Sequence, residues 1–192
     1  MKSLWQAATI LLLGMISPTT AEEAAVFEWK PPVVARGVFT GELGMLDSER
    51  DDFATNLAIH AVNRVAASRA TPPALAEARR MLALAQHLSP RNKRALIASF
   101  QLAKGILPEA VESNYSPESF ARLLLTRGQL LEKQGGAENQ RLARLFIDLA
   151  AEMDPTNEDA VYASELRRID HGAVDWKAIT DAADNKSEPP AP

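Results

Sequence analysis

The 192-residue sequence contains no cysteine. Disulfides, thiolate zinc sites, iron–sulfur clusters and cysteine nucleophiles are therefore excluded. Aromatic residues are scarce, at 6%. Alanine is abundant instead, with 33 residues, and this bias favours helix because Ala loses no side-chain entropy there. The formal net charge is -4, so there is no broad basic footprint for nucleic acid. No stretch beyond the first twenty residues is apolar and long enough to cross a bilayer.

The signatures of common catalytic sites are also missing. The chain has no G-x-S-x-G, H-E-x-x-H, G-x-x-x-x-G-K or G-x-G-x-x-G. His60, His87 and His171 stand alone, without a second histidine at helical spacing to complete a metal site. Carboxylate pairs such as Asp51-Asp52 and Glu158-Asp159 fall at expected helix starts. The reading is a non-enzyme with no cofactor and no metal.

The first 21 residues have the layout of a secretory signal peptide. Lys2 provides the positive start, Ile10-Leu11-Leu12-Leu13 centres the apolar stretch, and Thr19-Thr20-Ala21 are small residues before Glu22. Cleavage is expected after Ala21, leaving a periplasmic or secreted chain with no integral membrane span. Residues 22–46 read as an extended arm. Phe27, Trp29, Val33-Val34 and Val38-Phe39 alternate with Pro31-Pro32 and glycines. The arm is expected to lie along the domain, form a short hairpin or hang as a tail. Phe27 and Trp29 would then cover an apolar end or meet a partner.

From Ser48 the apolar period lengthens toward 3.6, which predicts a helix over 49–69. Asp47, Glu49, Asp51 and Asp52 suit the positive end of its dipole. They lack the alternation and central glycine of a calcium loop. Thr71-Pro72, Ser89-Pro90, Ser116-Pro117 and Asp154-Pro155 each pair a capping residue with proline. Helices are therefore predicted over 72–88, 90–104, 117–134, 139–153 and 155–170. Gly105, Gly135 and Gly172 stop three of them. A last short helix is predicted over 174–183, and the Pro-rich end reads as a tail or linker.

An internal repeat organises this pattern. Residues 78–99 and 143–164 share nine identities, including Ala78-Arg79 with Ala143-Arg144, Leu84-Ala85 with Leu149-Ala150, and Asn92 with Asn157. Phe53-Ala54 and Leu57 match Phe120-Ala121 and Leu124 at an offset of 67. A three-helix unit is used twice. The fold class is all-α, a short α-solenoid of antiparallel hairpins with six to seven helices over 47–172, followed by a short helix and tail over 173–192.

The repeated stretch resembles a tetratricopeptide repeat. Ala78, Leu82, Ala85 and Pro90, and again Ala143, Ile147, Ala150 and Pro155, hold that family's small, large, small and proline positions. Gly128, Leu131 and Gly135 fall on its Gly, large and Gly positions in the second copy. The resemblance implies a middle repeat whose second helix is degenerate or a loop, since only Leu107 to Glu112 is available for it. It also implies a concave groove for a partner peptide, lined by His60 and Asn63, by Arg94, Ile97, Gln101 and Lys104, and by Asp159 and Tyr162.

Arg91, Lys93 and Arg94 crowd a helix start, where cations are disfavoured. Solvent, an internal carboxylate or a partner's acidic group would compensate them. An acidic peptide is one expected ligand. The expected function is scaffold or adaptor work through a protein or peptide partner. The alternative is an accessory subunit, or the helical region, of a cell-envelope enzyme.

Overall fold

The computed structural model describes residues 27–34 and 38–181. The signal segment, its cleavage site and the Pro-rich tail lie outside the described residues. Seven helices occur among the described residues: α1 (Asp47–Ser68), α2 (Pro72–Leu88), α3 (Lys93–Ala103), α4 (Pro117–Gln134), α5 (Ala137–Met153), α6 (Glu158–His171) and α7 (Lys177–Thr180). The architecture is all-α, as the composition and periodicity imply. Residues 107–112 form no helix and make an extended connection.

The helices pack as two hairpins, α1/α2 and α4/α5, each extended by a third helix. Small residues make the close approach possible. Ala78, Ala85, Ala143 and Ala150 are completely buried, as are Leu82 and Ile147 between them. A Cβ added at Gly128 would sit 2.7 Å from Ile147 Cγ1 and 3.1 Å from the Ala143 carbonyl, so α4 and α5 pack too closely there for any side chain.

The two halves meet through aromatic rings. Phe53 of α1 stacks on Phe146 of α5 at 5.1 Å, and its repeat counterpart Phe120 lies 6.0 Å away. Arg127 donates to Glu49, while His60 stacks on Phe120 at 4.9 Å. Early α1 thus faces mid α4, and later α1 faces early α4. The two helices run antiparallel, and the matching phenylalanines Phe53 and Phe120 meet near their N-terminal turns.

Two helix starts differ from the sequence expectation. Helices α3 and α6 begin at Lys93 and Glu158, three residues beyond the prolines. The caps are Asn92 and Asn157, whose side chains accept from Ala95 N and Ala160 N, each at 3.1 Å. Pro90 and Pro155 sit instead in the preceding turns, closed by Asn92 N donating to the Ser89 carbonyl and Asn157 N to the Asp154 carbonyl. An Asn one turn later competes better because its carboxamide reaches the N3 amide. Ser116 does cap α4, accepting from Ser119 N at 3.2 Å. Helix α5 starts at Ala137, after Gly135 and Gly136, both at positive φ.

The first and last described segments lie along α2. Val33 N donates to the Thr180 carbonyl at 2.8 Å. Arg79 ties the two segments together, donating to the carbonyls of Lys30 and Thr180 and to Asp181. Those donations, Arg79's first, hold the Asp181 carboxyl down to about 2. Phe27 and Trp29 of the arm pack against the core. The final helix is shorter than expected, and its Ile179 is buried while Trp176 donates to Asp148 at 2.7 Å.

Candidate functional site

Two grooves carry the residues implicated by the sequence, and the internal repeat relates them. The first, with a volume of about 360 Å³, lies between α1 and α3. Its α1 wall is Ala58, Ile59 and Val62, and its α3 wall is Arg94, Ile97, Ala98 and Gln101. The second, of about 630 Å³, lies between α4 and α6. Leu125, Thr126 and Gln129 form its α4 wall, and Asp159, Tyr162, Ala163 and Leu166 its α6 wall. An offset of 67 carries the first α1 set onto the α4 set, and an offset of 65 carries the α3 set onto the α6 set. The two sets of lining residues thus correspond position by position under the sequence offsets.

Helix patterning explains why these walls exist. Ala98 and Ala163 point inward, which seats α3 and α6 against their hairpins and leaves the residues one turn away lining a cleft. Ile97 and Tyr162 are exposed on the rims, Tyr162 at 70%.

The first groove has a third wall. The connection after α3 supplies Ile106, Leu107, Glu109 and Val111. Asn63 holds it by two hydrogen bonds: its Nδ2 donates to the Val111 carbonyl at 2.9 Å, and Val111 N donates to its Oδ1 at 2.8 Å. The second groove has no such wall among the described residues. The chain after α6 turns away over α5, where Arg144 donates to the carbonyls of His171 and Gly172.

The eight expected contact residues therefore divide. Arg94, Ile97 and Gln101 share the first groove, and Asp159 and Tyr162 share the second. Lys104 is outside both, its ammonium 5.7 Å from the centre of the Phe100 ring. His60 and Asn63 are not on an open face. His60 is only 6% exposed, stacked on Phe120. Burial holds its pKa below 6.5, with Glu118 opposing that shift. Asn63 is occupied by the Val111 backbone. The tertiary pairing of α1 with α4 and with the connection closes these two positions.

The charged clusters resolve in the same way. Asp51 accepts from Ser89 and Asn92, which keeps its carboxyl below the usual range, and Glu49 accepts from Arg127. Among the described residues, Arg91, Lys93 and Arg94 make no ion pair. No group of three or more His, Asp and Glu residues that would hold a metal ion occurs among the described residues. A third cavity, of about 740 Å³, lies beside Arg141, Arg144 and His171 and under the C-terminal strap, residues 171–181, which lines it through Val174, Asp175, Ala178 and Ile179.

The tetratricopeptide-repeat resemblance pointed to α1, α3 and α6 but not to the α4 wall. The signal was present: the repeat offset applied to Ala58, Ile59 and Val62 gives Leu125, Thr126 and Gln129. The connection wall left no comparable signal, because an extended segment has no period that names its partner. Compared with family models, curated proteins and solved structures, the chain matches none.

Proposed function

We propose that this chain is an exported, non-catalytic interaction module that holds a protein or peptide on an exposed helical face. The observation that carries this reading is the apolar surface beside the second groove. Tyr162, Leu166 and Ile169 form one outward stripe on α6, exposed at 70%, 42% and 76%. Large apolar side chains clustered on one exposed helix face mark interaction sites more often than isolated ones do. The likeness to a tetratricopeptide repeat supports the same reading through the buried Ala78, Ala85, Ala143 and Ala150. Export, to a periplasm or outside the cell, rests on the character of residues 1–21. No helix among the described residues is long and apolar enough to cross a membrane.

The test is in-cell crosslinking from photoreactive residues placed at Tyr162 and Ile97, followed by mass spectrometry of the envelope fraction. One stoichiometric partner joined at either position is the expected result. If that partner is an enzyme, the chain is its accessory subunit. A chain recovered alone from both positions would overturn the reading.

A further inference from the structure

The repeat equivalence of the two grooves shows what the second one lacks. In the first groove, an extended segment of this chain runs Ile106-Leu107-Pro108-Glu109-Ala110-Val111 and forms the third wall. Pro108 is buried, and Val111 packs against the core. The residues at the same repeat offset after α6 are 171–176. They do not line the second groove. Val174 and Trp176 pack on the opposite side of the half, where Trp176 donates to Asp148. The α4/α6 groove thus keeps two walls of a three-walled seat, and it is the wider of the two.

The charge on its walls also differs. Glu109 of the seated segment and Arg94 of α3 line the first groove together with opposite signs. The counterpart of Arg94 in the second groove is Asp159. On the α4 side, Arg122 occupies the place of Thr55. Gln129 lines this groove with a side-chain amide that makes no hydrogen bond among the described residues, so a carboxamide is available to an incoming backbone, as Asn63 is to Val111.

We infer that the α4/α6 groove seats an extended, proline-containing segment of a partner protein, apolar at its anchor positions and basic where it meets Asp159. This deepens the interaction-module reading and rests on it. The segment's preferred sequence follows the chain's own 105–113, with the sign reversed at its fifth position, where the chain has Glu109.

Two labelled peptides test it: Gly-Ile-Leu-Pro-Glu-Ala-Val-Glu-Ser, and the same peptide carrying the Glu109→Lys change. Fluorescence anisotropy with the purified protein reads both affinities. The Lys peptide binds about threefold more tightly, the scale of one partly exposed charge pair. Asp159→Lys reverses the order, and because a lysine is disfavoured in the first turn of α6 the melting temperature falls slightly. Leu166→Glu abolishes binding of both peptides. Saturable binding of neither peptide up to on the order of 1 mM overturns the inference. So does an affinity ratio that Asp159→Lys leaves unmoved. If the peptides fail while a cellular partner still crosslinks at Ile97, the groove assignment falls and the broader reading stands.

Discussion

Arg69 and Ala70 both adopt positive φ, at 50° and 59°, where α1 turns into α2. Arg69 N donates to the Ala66 carbonyl and Ala70 N to that of Val65, which ends the helix with left-handed residues that are not glycine. A Cβ in this region is strained. Arg69→Gly should therefore raise stability by about 0.5–1 kcal/mol, read from urea unfolding. An unchanged or lower midpoint would mean that the Arg69 side chain contributes more than its strain. Alanine at the hairpin contacts is subject to the opposite constraint. Ala150 of α5 is completely buried, so Ala150→Leu should overpack the core there and destabilise by about 1–3 kcal/mol. An unaltered melting temperature would contradict that packing.

At the scale of elements, repeat-equivalent arginines do related work. Arg79 on α2 and Arg144 on α5 are identical in the alignment, and each donates to backbone carbonyls of the C-terminal strap. Guanidinium suits this because its fork serves several carbonyls at once. Arg79 also grips the carbonyls of Lys30 and Pro31, so it couples the arm to the strap. Arg79→Ala should cost about 2 kcal/mol, the range for hydrogen bonds from a charged group. Hydrogen exchange at the Val33 amide should accelerate before exchange in α1 does. Equal protection in wild type and variant would show that Val33 and Thr180 hold together without Arg79. The helix starts show a second rule at this scale. Ser89-Pro90 and Asp154-Pro155, expected to start helices, form the turns before them instead, and Asn92 and Asn157 set the first helical residue.

At the scale of the molecule, folding buries two imidazoles. His60 lies between the halves, and His87 lies under the strap, where its Nε2 donates to the Ile179 carbonyl at 2.9 Å. Burial lowers both pKa values from 6.5. The unfolded chain takes up protons near pH 6.5, whereas the folded chain resists until lower pH. Proton uptake therefore favours unfolding, and stability falls as pH drops below 6.5. The slope is at most about 1.4 kcal/mol per pH unit for each histidine. Melting temperatures at pH 7.5 and 5.5 should differ, and the double variant His60→Leu with His87→Gln should narrow the gap. Glu152, raised above 4.5 chiefly by burial, works the opposite way, because the folded chain binds that proton more readily than the unfolded one. A gap that the double variant leaves intact would assign the pH dependence elsewhere.

Much of this was legible in the residues themselves. The all-α class followed from the alanine content and the 3.6 period. Four of the seven helices end within one residue of the glycine or cap that the sequence names, because those signals act within a single turn. Tertiary structure decided which equivalent positions remain open. Nothing local in His60 or Asn63 shows that α1 faces α4 or that residues 106–111 return to the first groove. Likewise, nothing local in residues 171–176 shows that they leave the second groove vacant. Such outcomes depend on contacts between residues 48 to 102 positions apart, and periodicity within one helix carries no information about them.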